Sequence, residues 1–154
     1  MKRRFKVYLD TSVYNRPFDD QSQSRVRLEA EAFLLILEKA LSGVITIIGS
    51  STLLYENSRN PFAERKERVA SYLDVASNVI MVSDSIKNRA LSLELSGIDP
   101  LDALHLVCAE MGGAEYFVTS DYGIIKKARK YRNMVKITVC NPLEFVLEEV
   151  FKNA

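Results

Sequence analysis

Five short apolar segments alternate with helical patterns along the chain, and this alternation constrains the fold more than any other feature of the sequence. Segments rich in Val, Ile, Phe and Tyr predict strands over residues 5–9, 44–48, 79–82, 116–119 and 135–139. The intervening patterns predict a loop over residues 15–20 and helices over residues 22–41, 51–59, 63–76, 84–95, 100–111 and 122–132, with a last helix from residue 142. Strands separated by helices form a parallel sheet with helices on both faces. We therefore expect an α/β fold, a three-layer α/β/α sandwich with a mostly parallel central sheet of about five strands, in which antiparallel edge strands are still allowed.

Length and composition fit one globular domain. The chain has 154 residues, within the ~100–200 residues typical of a domain. It contains no repeat and no linker rich in Pro or Gly, so we expect residues 1–154 to form a single domain. With 21 Lys and Arg against 20 Asp and Glu, the net charge is +1. This balance argues against a protein that coats nucleic acid, but it leaves open whether the two signs are mixed or segregated.

Neither a membrane span nor a secretion signal is apparent in the sequence. The longest uninterrupted apolar run, residues 32–37, is far shorter than the ~20 residues that cross a membrane. Only three apolar residues separate the basic N-terminus from Asp10, so the apolar core of a signal peptide is lacking. Cys108 and Cys140 are too few for a disulfide framework and lack zinc-ligand spacing. We expect a soluble, cytoplasmic protein without a membrane partner.

Two acidic residues follow predicted strands directly. Asp10 comes after the first strand, and Asp121 comes after the strand that ends near Thr119. In parallel α/β folds, ligands bind at the carboxyl ends of the strands, which favours a site at these two positions. The alternative is that each Asp only caps a helix or forms a turn.

Asp102 and Glu56 are further candidates. Asp102 lies in the first turn of a predicted helix that is apolar almost all round, so its carboxylate points toward buried surroundings. A buried, unpaired carboxylate is costly unless it binds something, although helix capping also explains an acid here. Glu56 lies on the short helix after the second strand, where it is alternatively a solvated helix acid. Acids mixed with Lys and Arg on other helices are expected to face solvent: Glu29, Glu31, Glu38, Glu64 and Glu67.

Convergence of these four carboxylates at one end of the sheet predicts a site for Mg²⁺ or Mn²⁺. Both ions prefer oxygen ligands. One or two such ions suit phosphodiester hydrolysis, because a bound metal lowers the pKa of an attacking water and stabilises the leaving oxygen.

Four stretches of the sequence resemble the PIN-domain family, in particular its small single-domain members such as the VapC-type toxins. These stretches are YLDTSVY at residues 8–14, LLYE at 53–56, DPLDALHL at 99–106 and YFVTSD at 116–121. The order of strands and helices fits over nearly the whole chain. The resemblance implies an α/β/α sandwich and a ribonuclease that depends on Mg²⁺ or Mn²⁺.

The resemblance also implies roles for individual residues. Asp10, Glu56, Asp102 and Asp121 match the acidic set that binds the metal and performs catalysis. Ser12 and Thr119 match positions where a hydroxyl holds the metal waters or the acids in place.

One departure from the family pattern concerns a second metal. Many relatives carry another acid shortly after the last one, whereas Tyr122 and Gly123 follow Asp121 here. Asp99 is a possible substitute, but we expect it to cap the next helix. His105, the only histidine, is either a general base or a packed residue that supports the site, and we expect the supporting role.

Basic residues supply candidate contacts to RNA phosphates. Lys126, Lys127 and Lys130 lie just after Asp121, together with Arg129, Arg132 and Lys136, and Arg16 lies in the loop after Asp10. A second basic group, Lys2, Arg3, Arg4 and Lys6, occupies the N-terminus. Phosphate contacts give affinity that is independent of sequence and sensitive to salt. Tyr14 and Tyr122 flank the acids and are candidates to stack on bases. The alternative is that the charges are a solvated surface and the tyrosines are packed.

These observations predict an endoribonuclease that hydrolyses RNA at a four-carboxylate site, as the toxin of a toxin–antitoxin pair. A protein antitoxin is then a partner, and a homodimer is expected from the family. The alternative is a PIN-like module that binds RNA or a protein without cleavage. A response-regulator receiver domain lacks support because no matching Lys follows a late strand. A haloacid-dehalogenase phosphatase lacks support because Asp10-Thr11-Ser12 has no second Asp.

Overall fold

The computed structural model describes residues 4–152 and contains one five-stranded sheet, in which every neighbouring pair of strands is parallel. The strand order is β3-β2-β1-β4-β5. The strands are β1 (Phe5–Leu9), β2 (Ile45–Ser50), β3 (Asn78–Ile80), β4 (Tyr116–Val118) and β5 (Thr138–Cys140). The expected parallel α/β sheet is confirmed, and none of these five strands is antiparallel.

Helices connect the strands and cover both faces of the sheet. They are α1 (Thr11–Asn15), α2 (Ser24–Leu41), α3 (Ser51–Ser58), α4 (Ala63–Leu73), α5 (Asp84–Leu95), α6 (Pro100–Met111), α7 (Tyr122–Lys130) and α8 (Pro142–Phe145). A 3₁₀ turn, Arg16–Phe18, follows α1, and a π-helical turn, Val146–Val150, extends α8. The helix α2 packs on β2 and against α8, whereas α6 packs on β2 and β4 and against α5. This arrangement is the predicted α/β/α sandwich.

The central strand positions the site. β1 lies between β2 and β4, with Tyr8 opposite Ile48 on one side and Phe117 on the other. The strand order changes direction at β1, and in parallel sheets a crevice opens at the carboxyl ends of the strands at such a point. Val7, Tyr8 and Leu9 are fully buried, which holds the end of β1 rigidly against the core.

Polar residues at strand ends begin several of the helices. The Ser50 hydroxyl accepts a hydrogen bond from Leu53 N at the start of α3, and the Ser83 hydroxyl accepts one from Ile86 N at the start of α5. Such caps satisfy backbone donors that the first turn of a helix leaves free. Asp10 and Asp121 likewise occupy the N-cap positions of α1 and α7, so these acids lie where a strand is followed by a helix.

Two expectations are wrong and one open alternative is decided. Residues 15–18 are not a loop, because Asn15 ends α1 and Arg16–Phe18 form a 3₁₀ turn. Tyr14 is fully buried, so of its two alternatives it is packed and not available to stack on a base. Glu29 is fully buried within α2 instead of facing solvent.

Cys108 and Cys140 are both free and buried. None of the helices between residues 4 and 152 combines the length and the apolar character needed to traverse a membrane.

Candidate active site

Asp10 lies directly after β1 and is fixed by three hydrogen bonds. Its carboxylate accepts one from the backbone N–H of Thr11 at 2.8 Å, one from the Ser12 hydroxyl at 2.9 Å and one from the Thr119 hydroxyl at 2.8 Å. The side chain is buried. Because each donor belongs to the ends of β1 or β4, both strands determine the orientation of this carboxylate.

The segment after β4 is held by the same hydroxyls. Ser120 N donates to the Ser12 hydroxyl at 3.1 Å, and Asp121 N donates to the Thr119 hydroxyl at 3.0 Å. The Asp121 side chain caps α7, where its Oδ1 accepts from Gly123 N at 2.8 Å. Asp121 is thus a helix cap as well as a member of the site.

Glu56 in α3 is joined to the same end of the sheet. Its Oε1 accepts hydrogen bonds from His105 Nε2 at 2.9 Å and from the Thr11 hydroxyl. Partial burial alone would raise the pKa of Glu56, but the hydrogen bonds from His105 and Thr11 outweigh it and lower the pKa. Glu56 is therefore an ionised carboxylate at neutral pH.

His105 in α6 is held between Glu56 and a buried tyrosine. Its Nδ1 lies 2.7 Å from the Tyr8 hydroxyl, which in turn lies 2.6 Å from the Ser50 hydroxyl. Burial lowers the pKa of His105, but the hydrogen bond to Glu56 and the negative charge of Asp10 more than compensate and raise it. This chain of contacts fixes the ring and favours its positive form beside the carboxylates.

Asp102 lies in α6, one turn before His105, and differs from the other acids of the site in the contacts of its carboxylate. Its carboxylate makes no hydrogen bond to any residue of the described range 4–152, although it is half-buried. Burial, and then the negative charges of Asp10 and Asp121, raise its pKa from 3.8 to about 6. The structure thus brings Asp102 into the same electrostatic environment as the other two acids.

The donor set fits a hard divalent cation. Ligand atoms of Asp10, Glu56 and His105 all lie within 4.8 Å of one another. Nε2 of His105 already donates to the ionised Glu56, so carboxylate oxygens are the ligands that remain. Oxygen ligands suit Mg²⁺ or Mn²⁺, and a cation would relieve the repulsion at Asp102. Among residues 4–152, this group includes His105 but neither Asp102 nor Asp121.

Asp99 differs from its expected role. It occupies the N-cap position of α6, but its side chain makes no capping hydrogen bond. Its carboxylate, 72% exposed, lies 3.6 Å from Nζ of Lys127 in α7. The expectation of side-chain capping is therefore wrong, and Asp99 instead connects α6 with the basic helix.

The predicted RNA contacts fall into two groups. Lys126 and Lys130 are exposed on α7 and Lys127 is partly exposed, so α7 presents positive charge beside Asp121. Arg16 is only 15% exposed, and its guanidinium binds Glu29 at 2.9 Å and Asp19 at 3.1 Å. Contact of RNA with these four residues stays a prediction. At Arg16, an RNA phosphate would have to share the guanidinium with the carboxylates of Glu29 and Asp19. Lys2 and Arg3 of the predicted N-terminal cluster lie outside the described residues.

A network around Glu29 was missed by the sequence reasoning. Arg25 lies 3.4 Å from the Glu29 carboxylate and donates to the backbone oxygen of Ser120 at 2.6 Å. Its guanidinium also lies 3.8 Å from the centre of the Tyr122 ring. Through these contacts α2 fixes the segment that carries Asp121. The arginines flanking Glu29 are visible in the sequence, but solvated helix faces show the same pattern.

Tyr8 and Ser50 were also missed. A signal was present for Tyr8, because a hydroxyl within an otherwise apolar, buried strand requires a hydrogen-bond partner. Ser50 ends a strand just before a helix, a position typical of a cap. Neither signal identifies His105 as the residue that they support.

The chain is similar to known proteins over most of its length. A family model described as PIN domain matches residues 7–130, which include all four predicted acids. Among solved structures, the chain is similar to one in the crystal structure of VapBC2 from Rickettsia felis bound to a DNA fragment from their promoter. That match has 18% sequence identity and a TM-score of 0.53, and it covers 89% of this chain and 98% of that chain. At this identity the likeness shows a shared fold. None of the curated proteins compared with the chain matches it.

Proposed function

This chain belongs to the PIN-domain family, whose members are typically nucleases, and on that premise we propose that it is an endoribonuclease dependent on Mg²⁺ or Mn²⁺. The observation that carries the proposal is Asp102. A half-buried carboxylate without a hydrogen bond, beside two other negative charges, is unfavourable in the protein alone. A bound cation would remove that cost.

Asp10, Glu56, Asp102 and Asp121 would hold the metal. When bound, the ion lowers the pKa of a water and offsets negative charge on the phosphate. The chain itself orients the acids. The hydroxyls of Ser12 and Thr119 hold Asp10, and His105 holds Glu56 while Tyr8 holds His105.

The lysines of α7 are proposed to bind RNA phosphates on the other side of Asp121. Lys126 and Lys130 are exposed on α7, the helix that Asp121 caps, which supports phosphate contacts along this helix. This segregation supports an RNA substrate despite the net charge of +1.

Cleavage of RNA by the purified chain tests the proposal. We expect cleavage of a structured RNA with Mg²⁺ or Mn²⁺ and none with EDTA, and we expect Asp10→Asn and Asp102→Asn to abolish it. Glu64→Gln, which changes an exposed acid on α4, is the matched control and should cleave normally. Cleavage in EDTA, or cleavage by both Asn variants, would contradict a metal-dependent site. RNA binding without cleavage at any metal would favour the non-cleaving module.

We further propose that the chain is a toxin with a protein antitoxin, and that it acts as a homodimer in the cytoplasm. The VapBC2 neighbour supports an antitoxin only through a shared fold. Co-expression with the product of the adjacent reading frame should yield a complex that does not cleave RNA. Light scattering of the purified chain should give the mass of a dimer, and a monomer mass would contradict the homodimer.

A further inference from the structure

A cavity of about 500 Å³ is lined in part by Glu56. Thr11 and Glu56 belong both to its wall and to the candidate active site. The remaining wall comes from α3, from α4, from the segment between them, residues 59–62, and from Asn15 of α1 and Leu101 of α6. The volume is in the range of small-ligand sites, and any molecule in the cavity would touch the acidic cluster.

Two aromatic rings in this wall face solvent. Tyr55 is 55% exposed and Phe62 is 61% exposed. The Phe62 backbone is fixed, because Phe62 N donates to the Asn60 side chain at 3.2 Å, and the Asn60 amide in turn lies 3.4 Å from Asn15. Exposed rings on a fixed backbone are the platforms on which unpaired bases stack.

A free positive charge lies with the rings. The guanidinium of Arg59 is 5.8 Å from the centre of the Tyr55 ring, and no carboxylate between residues 4 and 152 pairs with it. Arg65 provides the contrast, since it already binds Asp19 at 3.2 Å. Arg59 is therefore the arginine of this cavity that is available to a phosphate.

We propose that this cavity binds one nucleotide of single-stranded RNA next to the scissile phosphate, with its base on Tyr55 or Phe62 and a phosphate on Arg59. The inference rests on the proposed nuclease function, because the acids beside Glu56 define where the scissile phosphate lies. The combination of unpaired cation, exposed rings and continuity with the acids favours a nucleotide over a peptide. The RNA then passes from the α7 lysines across the acids to this cavity.

Binding of a fluorescent single-stranded RNA in EDTA tests the cavity independently of cleavage. Tyr55→Ala or Phe62→Ala should weaken binding about 5- to 100-fold, the larger loss marking the ring on which the base stacks, and no loss in either variant would overturn the proposal. Tyr55→Phe, which keeps the ring, should bind like the unchanged chain. Phe151→Ala, which removes an exposed ring at the other end of the chain, is the matched control and should have no effect.

Arg59→Ala should reduce the slope of log affinity against log salt by about 0.7, the value for one phosphate contact on a single strand. Arg68→Ala, which removes an exposed arginine paired with Glu64 on α4, should leave the slope unchanged. In a series of RNAs with the abasic position moved along the strand, one member should lose affinity for the unchanged chain but not for the ring variant that weakens binding of the intact RNA.

The outcomes separate this inference from the proposed function. If the unchanged chain cleaves RNA with Mg²⁺ while the Tyr55, Phe62 and Arg59 variants bind RNA normally, the cavity proposal is wrong and the nuclease proposal stands. If the variants show the expected losses but no metal supports cleavage, the nuclease proposal is wrong and the nucleotide site stands. Loss of antitoxin binding in these variants, with RNA binding intact, would instead assign the cavity to a peptide.

Discussion

Replacing Asp102 by Asn is expected to stabilise the metal-free protein at neutral pH. In the folded chain, burial and the charges of Asp10 and Asp121 raise the pKa of Asp102 from 3.8 to about 6. The unfolded chain has the ordinary value, so between about pH 4 and pH 6 the folded state binds more protons than the unfolded state. The free energy of unfolding therefore falls as the pH rises through this window, and the full loss is present above it. Asn carries no charge and avoids this loss.

The size of the effect follows from the pKa. A rise from 3.8 to about 6 bounds the cost at about 3 kcal/mol, since each pKa unit corresponds to about 1.4 kcal/mol. Asp102 is only half-buried, and solvent screens its charge, so we expect about 1–2 kcal/mol. For a chain of this length, each kcal/mol raises the melting temperature by about 2–4 °C.

Thermal melting in EDTA measures this effect. At pH 7.5, Asp102→Asn should melt higher than the unchanged chain, and the difference should shrink as the pH approaches 4. Glu64→Gln is the matched control, because it removes an exposed carboxylate whose charge does not contribute to the raised pKa of Asp102, and it should not stabilise. Addition of Mg²⁺ should stabilise the unchanged chain by mass action, and the Asn variant less.

Two results would refute this reasoning. One is an Asp102→Asn variant that melts at the same or a lower temperature at pH 7.5 in EDTA. The other is a gain that stays constant down to pH 4, because a charge effect must disappear once the carboxylate is protonated. Either result would mean that burial and the neighbouring acids do not disfavour the charged form of Asp102, and the main support for a metal site would be lost.

Three further predictions concern the contacts around the site. Tyr8→Phe removes the hydroxyl between His105 and Ser50; we expect a loss of about 1–3 kcal/mol in urea unfolding, and an unchanged value would mean that water replaces the hydroxyl. Glu29→Gln leaves the two arginines that it binds without their buried charge partner; unfolding should be easier by about 3 kcal/mol, and a loss below about 0.5 kcal/mol would show that the pair contributes little. Lys126→Ala with Lys130→Ala should weaken RNA binding most at low salt and leave the melting temperature within about 2 °C; equal weakening at all salt concentrations would contradict phosphate contact.

Local patterns were sufficient for the sheet. The runs that became β1, β2 and β4 are largely apolar, with Lys6 the exposed exception in β1, because both faces of a central parallel strand are mostly buried. The positions of Asp10 and Asp121 at strand ends follow from the same runs. The short helix α1 was not visible, since five residues are too few for a helical period.

Burial of polar groups could not be predicted in the same way. Glu29 shares its pattern with solvated helix acids, and its burial depends on Arg16, which approaches from a different element. His105 meets Tyr8 across 97 positions of sequence, so no local pattern relates them. Asp99 has the sequence of a helix cap, yet its side chain pairs with Lys127.

By itself, the sequence determined the order of strands and helices and the acids at their ends, because these depend on short-range periodicity and on strand termini. Only the tertiary structure decided which polar side chains meet. The hydrogen bond from Thr119 to Asp10, the pair of Glu56 with His105 and the effect of the Asp10 charge on the pKa of Asp102 all arise between residues that are distant in sequence. Charge and hydrogen-bond energies depend on distance in space and on burial, and the chain acquires both only when it folds.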